Sequence, residues 1–510
     1  LLLELLSLKT EKNKYTMKKL IPLFLGLAIL FACTPAQKEQ VKEKHQSEVV
    51  TEINAVNNGN VNFDDYFINK TMRLDYFHTG NSETEHFAAD KIVSDGEWYG
   101  SLTTLIDELE LGYFFLEVVD QETKTLLYSR GFSSIFGEWQ TTPEAEKEWG
   151  TFHETVRFPW PLKPVTVRLN KRDGQNKFQP VWTYDIDPDS RLVNPTDIIH
   201  TEEVVAIHKS GNPNEKLDLV LLGDGYTIDQ MDKFIADAKR VTGYLLNAEP
   251  YKSRKDDINV WAVKTPSQES GISRPHPEIH KRTALSAHYS SFDSERYVLA
   301  YDNRTIRNVA SAAPYEFTSI LINEQTYGGG GIYKLYTTNA VDNKFAEYLM
   351  IHEMGHHLAD LADEYYSSST SYEAPGIDVE PYEVNVTALL DKENLKWKHL
   401  IEEGTPIPTP WNKEEFDKFS YEVQKERGEL RAQRVEESVM EDFFMRAHYK
   451  QDTFFMAEEY KDKIGAFEGA KYNQYGLYRS QLDCIMYTRH TVHCKVCQHG
   501  ISTVIDQYSK

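Results

Sequence analysis

Basic residues are scarce in this chain: 56 Lys and Arg stand against 79 Asp and Glu, a formal charge of −23 over 510 residues. Without residues 1–32, which hold five basic and two acidic side chains, the remainder carries −26. A chain this acidic repels phosphate backbones and lacks a basic stripe, which argues against nucleic acid as a partner. Long apolar runs are missing after residue 33, so no later segment reads as a membrane-spanning helix. Cysteine is sparse as well. After Cys33 only Cys484, Cys494 and Cys497 follow, and three cannot all pair. A dinucleotide fingerprint is absent too: after Gly223-Asp224-Gly225, Ile228 stands where the third glycine would be.

What is present begins with an address. Met17-Lys18-Lys19 is a short basic start, residues 20–31 are apolar over the length of a signal-peptide core, and Ala32-Cys33 follows. The segment Leu30-Phe31-Ala32-Cys33 resembles a bacterial lipoprotein processing site. The expectation is therefore a signal peptide over 17–32, lipid on the Cys33 sulfur, and a membrane-anchored protein outside the cytoplasm, facing the periplasm or the cell surface. Residues 1–16 read as an upstream extension, because the signal logic begins at Met17. Residues 33–60 are polar, without an apolar period, and read as a flexible tether. In an oxidising compartment the three remaining cysteines are expected to form one disulfide and leave one thiol. The alternative is a zinc site built from Cys494-x-x-Cys497, Cys484 and a histidine such as His493.

With 40% hydrophobic and 12% aromatic residues, the rest has material for two or three packed domains. Residues 61–190 are strand-like. An apolar run at 113–119 faces a partner at 125–128, and Val165, Val167 and Leu169 alternate before the turn pair Asp173-Gly174 and a return strand at 178–184. The expectation is an N-terminal all-β, sandwich-like accessory domain. Beyond it, residues 200–510 read as an α/β (α+β) domain. A buried-type strand at 217–222 leads into the capping box Thr227-x-x-Gln230, and Met231, Phe234, Ile235, Ala238, Val241 and Leu245 recur at helical spacing before another strand at 258–263. After a strand at 319–323 comes Gly328-Gly329-Gly330-Gly331. These glycines suit either an edge strand that pairs with an extended peptide or a flexible loop.

Phe345 and Leu349 continue at helical spacing into His352-Glu353-Met354-Gly355-His356. Imidazoles four residues apart on one helix face can bind one zinc ion, with the intervening glutamate left to act on water. Gly355 carries a cost inside a helix that nothing in the sequence repays. A catalytic zinc takes three protein ligands, and here Ala359 and Ala362 stand where HExxHxxGxxH peptidases carry their glycine and third histidine. The nearest donor is Asp363, with Glu364 next, provided that a turn after His357 brings the chain back. Helix capping or ion pairing is the structural alternative for Asp363, and distant glutamates such as Glu380 or Glu468 are further ligand candidates.

The string His352-Glu-Met-Gly-His356-His357-Leu-Ala-Asp-Leu-Ala-Asp-Glu-Tyr365 resembles the signature of the IgA peptidase family of zinc metalloendopeptidases. The likeness extends through Leu222-Gly-Asp-Gly-Tyr-Thr227, the glycine run, Phe467-Glu-Gly-Ala470, Cys484-Ile-Met486 and Cys494-x-x-Cys497. Tyr128-Ser-Arg-Gly-Phe132 and Phe136-Gly-Glu-Trp-Gln140 likewise resemble that family's N-terminal domain. The resemblance implies a metzincin-like fold, zinc on His352, His356 and Asp363, Glu353 as general base, and Met486 in the turn beneath the metal. Gly329, Gly330 and Gly331 would bind a polypeptide substrate, Tyr365, Tyr366 or Tyr487 would supply oxyanion stabilisation, and the chain is expected to act as a monomer. The competing class is a non-enzymatic surface lipoprotein that binds polypeptide or glycan and carries a structural zinc.

Overall fold

The computed structural model describes residues 61–368 and 376–509. The signal segment, Cys33 and the tether lie outside the described residues. The N-terminal domain is built from two four-stranded sheets. One runs in the order Gly150–Pro161, Phe67–Gly80, Glu85–Ser94, Val193–Asn194; the other runs Leu126–Phe132, Phe114–Asp120, Val165–Arg172, Phe178–Ile186. Both expected hairpins are present and antiparallel. Alternation explains the core: Val165, Val167 and Leu169 point inward from one sheet and meet Met72, Leu74, Tyr76, Val156 and Phe158 of the other. Each such side chain contributes about 1.5–3 kcal/mol by leaving water.

The second domain holds a six-stranded sheet in the order Gly329–Ile332, Tyr336–Ala340, Phe317–Ile322, Leu217–Asp224, Ile258–Val263, Val204–His208. The four inner strands are parallel to one another, and both edges are antiparallel. Leu217–Asp224 is buried at every residue, as expected for a central strand covered on both faces. The capping box at Thr227 and Gln230 opens a short 3-10 turn that continues into the helix Met231–Asn247. That helix buries Met231, Phe234, Ala238, Val241 and Leu245 against the sheet, while Ile235 is half-buried. Asp224 accepts the backbone N–H groups of Leu285 and Ala287, so the Gly223 turn is filled by the protein's own chain.

The charged stretch after residue 412 folds into a helical hairpin, Lys413–Ala432 and Glu437–Met456, with a solvated outer face and Phe416, Phe443, Phe444 and Phe455 buried beneath. The two domains meet directly. Ser133 donates its N–H to Tyr333 O at 3.0 Å, Arg157 donates to Tyr315 O at 3.0 Å, and Gly112 donates its N–H to Asp360 Oδ2 at 2.6 Å.

Candidate active site

The helix Ala346–Ala359 carries both histidines and is anchored by buried Leu349, Met350, Ile351, Met354 and Leu358. His352 donates Nδ1–H to Ile485 O at 2.9 Å, and His356 donates Nδ1–H to Leu361 O at 2.5 Å. Those bonds fix the tautomers and leave both Nε2 lone pairs facing the cleft. The two Nε2 atoms are 3.2 Å apart. Asp363 Oδ1 lies 3.2 Å from one and 3.3 Å from the other.

Three lone-pair donors at this spacing repel unless a cation sits among them. Donors 2.0–2.1 Å from one tetrahedral ion are separated by about 3.3–3.4 Å, so the triangle has the size of a tetrahedron face. Asp363 Oδ1 is buried and has no other hydrogen-bond partner among the described residues. Burial would raise the Asp363 carboxyl, but His356 and His352 outweigh it and hold it well below the usual carboxylate range. For His356 the signs reverse: burial lowers its pKa, and the neighbouring Asp363 carboxylate pushes it up to about 9. The group is therefore suited to hold a metal cation.

The chain returns to the histidines by a turn at Asp360, which adopts the left-handed conformation with φ 51°. Asp363 follows three residues later. Turn and carboxylate are thus displaced together by one residue relative to the HExxHxxGxxH pattern, which accounts for Ala359 and Ala362. Asp363 Oδ2 accepts the Tyr472 hydroxyl at 2.6 Å. Glu364 points elsewhere, accepting from Asn385 at 2.9 Å. Glu380 pairs with Lys396 at 3.2 Å, and Glu468 accepts Gly476 N–H at 3.2 Å; neither lines the cleft.

Beneath the helix lies Met486, fully buried. A Cβ on Gly355 would fall 3.0 Å from the Met486 sulfur and 3.1 Å from the His493 ring, so the helix glycine gives room to the turn below. His357 faces away: its Nε2 accepts Thr318 N–H at 3.0 Å, and burial lowers its pKa to about 3.

The glycine strand Gly329–Ile332 forms the sheet edge beside the helix, as one of the two readings has it. Its glycines answer first to the protein itself. A Cβ on Gly331 would stand 2.5 Å from Glu353 O, and one on Gly330 would stand 2.5 Å from the Tyr297 ring. Gly329 already uses its outward groups, donating to Arg296 O at 3.1 Å and accepting from Val298 N at 3.2 Å.

The cleft encloses about 160 Å³ between His352, Glu353, His356, Asp363, the three glycines, Arg296, Tyr297, Tyr365, Tyr472 and Glu138. Burial raises the Glu353 pKa. Of the three tyrosines considered, only Tyr365 lines this cleft; Tyr366 donates to Asp417 at 2.5 Å and stacks on Tyr487 with ring centroids 6.0 Å apart. Arg296 and Tyr472 belong to no motif, and nothing local in the sequence marks them; Glu138 lies in Phe136-Gly-Glu-Trp-Gln140, which the sequence ties to the N-terminal domain and not to the cleft.

The expected disulfide is not formed. Cys484, Cys494 and Cys497 are all free and buried, and the sulfurs of Cys484 and Cys497 are 3.7 Å apart. Nor does His493 complete the cluster; Glu364 does.

A family model described as IgA Peptidase M64 matches residues 205–505, and one described as Peptidase M64 N-terminus matches residues 62–183. The chain belongs to this peptidase family. The protein is therefore a metallopeptidase carrying the family's N-terminal domain, and the non-enzymatic alternative falls. No curated protein sequence matches the peptidase.

Proposed function

We propose that this peptidase is a zinc endopeptidase, held outside the cytoplasm by lipid on Cys33, that cleaves polypeptides in the cleft above His352, His356 and Asp363. The observation that carries the reading is the donor triangle, with edges of 3.2–3.3 Å, beside Glu353 in an open cleft. His352, His356 and Asp363 hold the ion. A zinc ion there supplies Lewis acidity, polarising the scissile carbonyl and making a water more acidic.

Glu353 takes the proton of the attacking water on its carboxylate and delivers it to the nitrogen of the leaving amine. Its raised pKa suits a group that must both accept and return a proton. The Tyr365 hydroxyl, kept protonated by burial and by the nearby Asp363 charge, donates to the oxygen that gains charge. Gly331 offers the outward edge on which an extended peptide can pair, and Met486 floors the site with a soft side chain that competes weakly for zinc. The anchor is supported by the basic start at Met17, the apolar run and Ala32-Cys33. The peptidase acts as a single chain.

The test pairs Glu353→Gln with metal analysis and with terminal sequencing of the products of a peptide library. The variant should keep its zinc and lose about 10²–10⁴-fold in kcat; full activity would sink the mechanism.

A further inference from the structure

A second cluster of metal-binding groups lies behind the first. Cys484, Cys494, Cys497 and Glu364 are all buried, and their ligand atoms lie within 4.8 Å of one another. Cys484 Sγ and Cys497 Sγ are 3.7 Å apart, and Cys497 Sγ is 3.6 Å from Glu364 Oε1. A tetrahedral ion with sulfur at about 2.3 Å and oxygen at about 2.0–2.2 Å sets its ligands about 3.7–3.8 Å apart for sulfur pairs and about 3.5–3.6 Å for sulfur and oxygen. Both measured distances meet those values.

Backbone N–H groups point at two of the sulfurs. Cys494 N–H donates to Cys484 Sγ at 3.2 Å, and Cys497 N–H donates to Cys494 Sγ at 3.4 Å. The Ser480 hydroxyl lies 3.2 Å from Cys494 Sγ. Cys494 also caps the N-terminus of the helix Lys495–Tyr508, where backbone N–H groups and the helix dipole stabilise negative charge. Glu364 is fully buried, and its Oε2 has no hydrogen-bond partner among the described residues, a costly state for a carboxylate without a cation.

We propose that Cys484, Cys494, Cys497 and Glu364 form a second, structural zinc site. Four protein ligands close the coordination sphere, as a structural site requires, and three thiolates select a soft ion such as zinc. Its position gives it a task. Glu364 directly follows Asp363, and Cys484 lies two residues before Met486, so one ion ties together the loop bearing the third donor of the cleft and the turn under the helix. The proposal does not depend on the chemistry assigned to the cleft.

The experiment measures zinc per chain by mass spectrometry of the metal, and thiolate-to-metal charge transfer after cobalt replacement, in the full chain. Three proteins are compared: wild type, the His352→Ala/His356→Ala variant, and Cys497→Ser. Wild type should hold about two ions. The double-histidine variant should keep about one, with thiolate charge-transfer bands, and Cys497→Ser should lose those bands. If the double-histidine variant holds no metal, or peptide mapping finds a disulfide among the three cysteines, the proposal is overturned. That result would leave the cleft untouched, because metal loss confined to the histidine variant reports on the cleft alone. Should Cys497→Ser fail to fold, the double-histidine variant still decides.

Discussion

Glu364 donates its backbone N–H to the carbonyl of Met486 at 2.7 Å. This bond joins two segments more than a hundred residues apart, one carrying Asp363 and the other lying under His352. The geometry of the cleft thus depends on backbone contacts behind it.

Tyr472 donates to the Asp363 oxygen that does not face the imidazoles. Removing the hydroxyl in Tyr472→Phe should free the carboxylate to rotate and weaken metal binding in the cleft about 10–100-fold. Competition with a chelator reads this directly; unchanged affinity would deny Tyr472 its orienting role.

Tyr365→Phe should lower kcat by about 10²–10³-fold, with KM nearly unchanged, if the hydroxyl stabilises charge only in the transition state. Steady-state kinetics on one peptide suffices. A change confined to KM would assign Tyr365 to substrate binding instead.

Gly331→Ala places a methyl group 2.5 Å from Glu353 O. The backbone contact cannot yield as a flexible side chain would, so the variant should lose about 1–3 kcal/mol of stability and lose activity with it. Denaturant unfolding that shows no change would mean that the strand and helix separate more easily than their packing implies.

Asp360 has its pKa raised from 3.8 to about 7, by burial first and the Glu383 charge second. A raised folded-state value means the native protein keeps a proton that the unfolded chain has released. The resulting stability is complete below pH 4 and falls as pH rises towards 7. Asp360→Asn cannot ionise, accepts from Gly112 as before, and tolerates the left-handed turn. Its stability advantage over the wild type should grow between pH 4 and 7, by at most about 4 kcal/mol, and then level off. Urea midpoints across that range test the sign; an advantage that shrinks with rising pH refutes it.

The histidine helix was legible because its spacing and apolar stripe are local. Asp363 was legible only as a candidate. Its turn falls on an aspartate rather than a glycine, and that residue is held by Gly112, which is 248 positions away. The long strand Phe67–Gly80 escaped notice for a related reason. Arg73, Asp75 and His78 interrupt its apolar pattern, yet all three are buried, with Arg73 bonded to Asp95 at 2.8 Å and Asp75 at 3.1 Å. Pattern reading assigns charge to the surface, and it fails where an ion pair supplies the compensation. The fourth member of the cysteine cluster was missed likewise. His493 is adjacent in sequence, whereas Glu364 is brought in by the fold.

Glu138 bonds the Tyr297 hydroxyl and forms part of the cleft wall, although it belongs to the N-terminal domain. A boundary drawn near residue 200 therefore separates two sequences but not two functions. Any polypeptide that enters this cleft meets a wall to which both domains contribute. A catalytic half moved onto a foreign partner would leave one side of its cleft wall behind.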